Sequence, residues 1–146
     1  MRRLVFACGL VSIIACGGSR QIILPGAGGT TSTPLDTLVA AYPLADGQNI
    51  RVVELWRDAT MSCHFVQVRD RETPHIHATH DLTVTVLRGN GQLHLRGASY
   101  VMRVGDSAIV PRGTPHYFVN ESAAPAAAFV TFAPAYEGTD QVPVDR

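Results

Sequence analysis

The sequence predicts an all-β domain, a sandwich or barrel of many short strands, and three observations carry that prediction. Runs of four to eight residues rich in Val, Ile, Thr, Tyr and Phe recur along the chain from about residue 50 onward. Gly, Pro, Asn and Asp punctuate them at regular spacing. No segment holds a helical period of useful length, and no internal repeat is present.

The expected strands are Ile50–Arg57, Met61–Arg69, His75–His77, Leu82–Arg88, Gln92–Arg96, Tyr100–Val104, Ala108–Val110, His116–Asn120 and Ala126–Phe132. In Leu82–Val86 the apolar Leu82, Val84 and Val86 share one face while Thr83 and Thr85 take the other, as a half-buried strand requires. Asn90-Gly91, between two such runs, predicts a tight hairpin because both residues tolerate positive φ. Gly105-Asp106 predicts a turn of the same kind. Cys63 falls at an apolar strand position and reads as a buried thiol.

The chain has 146 residues, with 12 basic side chains (all of them arginine) against 12 acidic ones. That length suits a single domain with a real core. Without a basic cluster, nucleic acid is not an expected partner. The first residues read as targeting sequence. Arg2-Arg3 form a positive n-region and Leu4–Ala15 a short apolar stretch, ending in Ile13-Ile14-Ala15-Cys16. This resembles a bacterial lipobox, and the resemblance implies removal of residues 1–15, lipidation of Cys16 and a place in the cell envelope, lipid-anchored and facing the periplasm or in the outer membrane. Loss of Arg2 and Arg3 leaves ten basic and twelve acidic side chains, a net charge of −2. Cys63 would then be the one thiol outside the leader and its lipid site, so no internal disulfide is expected. Residues 16–35, rich in Gly, Ser, Thr and Pro around the short run Ile22-Ile23-Leu24, read as a flexible tether. The domain proper is expected over residues 36–134, with an irregular tail at 135–146.

Chemistry concentrates in two histidine clusters, His75-Ile76-His77-Ala78-Thr79-His80-Asp81 and Pro111-Arg112-Gly113-Thr114-Pro115-His116. His75 and His77, two apart on a strand, project from one face, and the Pro/Gly turn can aim His116 toward them. Converging neutral imidazoles suit Zn, Fe, Mn or Ni.

These residues resemble the cupin superfamily. Gly105, then Pro111-Arg112-Gly113, His116 and Asn120 keep every interval of the second cupin motif. The first motif is kept at His75, His77 and Gly89, but Arg69 stands where its opening glycine falls and Leu82 where its glutamate falls. The resemblance implies a double-stranded β-helix, or jelly-roll, barrel holding a divalent transition metal ion, and a homodimer through sheet edges. It also implies a small polar molecule bound or turned over at the metal, by dioxygenase, isomerase or lyase-type chemistry if the protein is an enzyme. In place of the missing glutamate, strand parity favours His80, giving a site of His75, His77, His80 and His116. A bulge at the strand's start would bring in Asp81 instead. His64 and Phe118 are candidate substrate contacts. Asn120 reads as structural. A non-enzymatic module that captures a metal ion or small ligand is the competing reading.

Overall fold

The computed structural model describes residues 20–145. Twelve strands and one short helix follow in order: β1 (Gln21–Gly26), β2 (Gly29–Pro34), α1 (Leu35–Ala41), β3 (Ile50–Arg57), β4 (Ser62–Val68), β5 (His75–His77), β6 (Asp81–Arg88), β7 (Asn90–Leu95), β8 (Ala98–Arg103), β9 (Ser107–Val110), β10 (His116–Asn120), β11 (Ala126–Ala133) and β12 (Gln141–Pro143). Two five-stranded antiparallel sheets face each other, ordered β12-β5-β10-β7-β8 and β3-β4-β11-β6-β9. From β4 onward the chain passes repeatedly from one sheet to the other. This is the double-stranded β-helix, an arrangement that leaves few open strand edges.

Strand alternation decides which side chains enter the barrel. Val66 and Val68 on β4, Leu82, Val84 and Val86 on β6, and Val130 and Phe132 on β11 all point inward from one sheet. Their neighbours of opposite parity face out, and there the fold holds a surprise. Residues 21–34, expected as tether, form the β1–β2 hairpin, with Ile22 paired to Thr33 and Leu24 to Thr31. Ile22, with Leu35 and Leu38 of α1, packs on Phe65 and Ala127 from the outer face of the second sheet. The composition of that segment is tether-like, but burial of Ile22 and Leu24 offsets the ordering cost of its backbone. Burial on both faces is also why β4 is almost continuously buried rather than alternating. Helix α1 spans seven residues, too short for a 3.6-residue period to register in the sequence.

The expected hairpin at Asn90-Gly91 does not form. Strands β6 and β7 belong to different sheets, and the connection crosses between them through Gly89 at φ +79°. Gly91 instead lies in β7, where a Cβ would stand 2.1 Å from the Val119 carbonyl oxygen and 2.5 Å from the Phe118 ring. Its glycine is required by close packing rather than by a turn. Gly105-Asp106 likewise joins strands of different sheets. A tight hairpin does connect β7 to β8 through Arg96 and Gly97, whose φ values of 51° and 81° match the positive-φ pair a two-residue turn needs.

Candidate metal centre

Antiparallel pairing of β5 with β10 sets His116 directly opposite His75, and His77 lies two residues along on the same face. The three rings are buried, with centroids 4.3 Å apart for His75 and His116, 5.1 Å for His75 and His77, and 5.6 Å for His77 and His116. One ring nitrogen from each lies within 4.8 Å of the others.

The hydrogen bonds behind the rings identify which nitrogen that is. His75 Nδ1–H donates to the Thr73 carbonyl at 2.8 Å, His116 Nδ1–H to the Thr114 carbonyl at 2.9 Å, and His77 Nδ1–H to Asp140 Oδ1 at 2.9 Å. A carbonyl or carboxylate can only accept, so each bond holds the proton on Nδ1 and leaves the Nε2 lone pair free. Burial pushes the His77 imidazolium below its ordinary range, and burial with the neighbouring histidines pushes His116 down to about 4. At neutral pH both rings are uncharged ligands-in-waiting.

The two candidates for a further ligand from the first cluster lie elsewhere. His80 has the inward parity expected of it, but it turns to the C-terminal segment. Its Nδ1 bonds Asp140 Oδ2, and its Nε2 faces the Ala135 carbonyl at 3.3 Å. Neither nitrogen is left for the triad. Asp81 projects outward with a side chain 43% exposed, and Arg112 clasps it at 2.7 Å with an added bond from the Arg112 backbone N–H at 2.8 Å. That clasp lowers the Asp81 carboxyl to about 2. No bulge shifts the start of β6, where Asp81 pairs with Ala133 and Leu82 with Phe132. Leu82 itself is a buried part of the barrel wall.

Sequence reasoning missed three residues that matter here. Asp140, in the tail expected to be irregular, accepts from His77, His80 and the Thr79 N–H. Burial works to raise its carboxyl, yet the bonds from His77 and His80 outweigh that and hold it well below the usual range. The tail is pinned by β12, whose Gln141 and Pro143 pair with His77 and His75. Tyr136 stacks on Phe132 at 4.5 Å and stands edge-on to His77 and His80. Glu72 also faces the cavity, its Oε2 accepting from the Phe118 N–H at 2.8 Å, and burial raises its carboxyl. The Asp140 contacts span about sixty residues of sequence, and no local signal marks them. Glu72 lies before Pro74 and outside any strand, so parity could not place it.

The triad opens into a cavity of about 300 Å³ between the sheets. Phe118 lines it, as its parity with His116 anticipates. His64 is buried but lines a separate depression with Glu54, Arg57 and Tyr136; its Nε2 bonds Ser62 Oγ at 2.8 Å and its Nδ1 has no partner. Asn120 is structural, its side chain tying the Arg69 and Ala124 carbonyls and the Ser122 N–H. Cys63 is a buried free thiol.

Comparison with known proteins agrees with this geometry. Residues 64–132 match the cupin domain family. An uncharacterized protein of Aquifex aeolicus (strain VF5) is 38% identical over 98 residues, covering 67% of this chain and 80% of that protein. Among solved structures, KdgF from Halomonas sp. superposes with a TM-score of 0.58 at 23% identity, over 61% of this chain and 82% of that one. A Klebsiella pneumoniae protein with a double-stranded β-helix domain gives 0.62 at 19% identity, over 74% and 95%. The nucleoside dehydratase Pac13 gives 0.56 at 22% identity, over 66% and 78%. At such identities the structural matches speak for the fold alone. With its two-sheet barrel, the spacing from Gly105 to Asn120 and the match over residues 64–132, the chain belongs to the cupin superfamily.

Proposed function

We propose that the protein binds one divalent transition metal ion through Nε2 of His75, His77 and His116, and that a small molecule is bound or transformed at the positions the metal leaves open toward the cavity. The observation that carries this is the set of three Nδ1 hydrogen bonds, which leaves three unprotonated nitrogens converging on one point. Histidines kept only as core polar groups would satisfy both nitrogens within the protein. An all-imidazole set suits Zn, Fe, Mn or Ni, and such an ion when bound supplies Lewis-acid or oxygen-binding chemistry. The test is metal content of the purified protein after loading, against His77→Ala. One ion per chain in the wild type and a large loss in the variant support the reading; equal, near-zero content in both refutes it.

Glu72 favours catalysis over simple capture. A carboxyl that burial biases toward its protonated form, in the same cavity as the triad, can hold or deliver a proton beside the reacting molecule. A binding module has no need of it. The absence of a carboxylate ligand in the triad favours the other reading, a module that captures a metal ion or small ligand without turning it over. Oxygen-consumption and substrate screens on metallated wild type and Glu72→Gln separate the two.

We also propose that the chain is anchored to a bacterial membrane through a lipid on Cys16, with residues 1–15 removed. The support is the sequence Ile13-Ile14-Ala15-Cys16 behind a basic, apolar leader. Cys16 lies outside the described residues, and among those described no helix is long and apolar enough to cross a membrane. Labelling with a tagged fatty acid, lost in Cys16→Ser, is the check.

A further inference from the structure

The sequence reading expects a small polar molecule at the metal, yet the lining of the cavity is mostly apolar. Its polar lining comes from one edge of one sheet and the segments beside it: the triad, Glu72, Tyr136 and Gln141. Elsewhere its walls are aliphatic or aromatic, among them Val66, Val84, Val86, Leu93, Met102 and Val130. Among the described residues no arginine lines it, so an anionic group has no permanently cationic side chain there to pair with. A sugar or polyol would bury hydroxyls against these walls without hydrogen-bond partners, each weakening binding by roughly tenfold.

We propose that the site takes an amphiphilic small molecule, with a compact apolar body and a single oxygen-bearing pole that binds the metal. A cavity of about 300 Å³ holds on the order of a dozen non-hydrogen atoms at protein packing density. The pole sits at the triad with Glu72 in reach, and the body fills the space between Val66, Val86 and Leu93. This rests on the metal reading above.

The test uses cobalt-loaded full-length protein and hydroxamates of one metal-binding group but different bodies. Acetohydroxamic, butyrohydroxamic and hexanohydroxamic acids are compared with the hydroxamate of gluconic acid, followed by the change in the cobalt visible spectrum. Affinity is expected to rise about fourfold for each added methylene, with the gluconic compound far weaker than the hexanoyl one. A flat alkyl series, or tighter binding of the gluconic compound, overturns the proposal. Ala128→Phe, which places a ring in the cavity wall, is expected to keep the cobalt spectrum and lose the chain-length gain. An unchanged gain in that variant also overturns it. A protein that takes up no cobalt refutes the metal reading instead. The cavity is then probed by calorimetry of the metal-free protein with 1-hexanol and glycerol. Saturable binding of hexanol alone upholds the apolar site, and no binding of hexanol overturns it.

Discussion

Asp140→Ala is the most informative single perturbation, because one carboxylate serves both the fold of the tail and the set of the metal ligands. Its removal deprives the His77 Nδ1–H, on a side chain 6% exposed, of its acceptor, and leaves His80 Nδ1, on a side chain 8% exposed, only the Thr79 hydroxyl at 3.1 Å. Each buried polar group left unpaired costs about 1–3 kcal/mol. The Thr79 N–H loses its partner as well, but on an exposed segment where water can replace it. With about 1–3 kcal/mol for His77 and about 1 kcal/mol for the bond lost at His80, the expected loss of stability in the metal-free protein is about 2–4 kcal/mol, within the reserve of an ordinary domain. Metal affinity falls for a separate reason. Without Asp140 the His77 ring is free to rotate and to shift its proton to Nε2, which removes it as a ligand. Partners of this kind are worth about 10–100-fold in affinity. Urea denaturation of the metal-free protein measures the first effect, and competition with a chromophoric chelator, on folded protein, the second. Asp140→Asn is expected to fall between, since its carbonyl oxygen can still accept from His77 while its NH₂ cannot accept from His80. Stability within 0.5 kcal/mol of wild type (the range of about ±0.5 kcal/mol typical of neutral surface changes), together with affinity within about twofold of wild type, well short of the partner effect, refutes the reasoning.

The other expectations address the ligand set, pH and packing. His75→Ala, His77→Ala and His116→Ala should each weaken cobalt binding by about 100-fold or more, while His80→Ala and Asp81→Asn keep one ion per chain and an affinity within about tenfold; chelator competition across the five variants decides it. Stability of the metal-free protein should rise with pH between about 4 and 6.5. His116 binds its proton near 4 in the native state and near 6.5 in the unfolded chain. The unfolded state thus holds more protons in that window, so the contribution is fully present above 6.5 and lost as pH falls toward 4, about 3 kcal/mol in all. His77 acts with the same sign, and Glu72, raised by burial, with the opposite sign as pH climbs through its native value. Denaturation curves at several pH values, with His116→Gln flattening the slope, provide the measurement. Gly91→Ala should cost roughly 3 kcal/mol or more, because its Cβ meets the Val119 backbone as well as the Phe118 ring; Gly28→Ala, with nothing nearby, should be neutral by the same urea assay.

What could be read in the sequence was whatever the chain encodes within a strand's length. The strand limits at Ile50–Arg57, His75–His77 and His116–Asn120 coincide with the expected ones because alternation and flanking turn residues act locally. The triad was legible for the same reason: His-x-His fixes a face, and the intervals from Gly105 to Asn120 fix how far the chain travels before His116 returns to it. Contacts across sixty residues left no such trace. The parity argument turned His80 toward the barrel, whereas its ring is buried against Tyr136 and Asp140; the choice between metal and Asp140 depends on where the tail lies, and β12 places it beside β5. The Asn90-Gly91 turn failed in an instructive way. Local φ preference permits a hairpin there, but the apolar face of β6 packs in one sheet and that of β7 in the other, so the chain crosses the barrel. The tether failed similarly, since two apolar residues, Ile22 and Leu24, are enough to dock a hairpin once α1 and Phe65 offer them a surface.

The departure from the cupin pattern at Leu82 then acquires a physical reading. A carboxylate ligand would bring negative charge into the first coordination sphere, and Leu82 instead completes an apolar wall. The charge has not left the site; it stands one bond further back. Asp140 lies behind His77, hydrogen-bonded through Nδ1, where an anion raises the basicity of Nε2 without occupying a metal position. Such an arrangement would leave a bound metal facing a cavity walled mainly by valines, leucines and other apolar side chains, with Glu72, which burial biases toward its neutral form, the one carboxyl in the lining. An apolar ligand could then approach the metal past a largely uncharged lining. Leu82 and Asp140 are on this view complementary, the first leaving the wall apolar and the second setting negative charge behind His77. Leu82→Glu in the Asp140→Ala background is the direct test of that coupling. It should recover metal affinity lost in the single variant while abolishing the preference for long alkyl hydroxamates. No recovery of affinity, or recovery with the alkyl preference retained, would show that the two positions act independently.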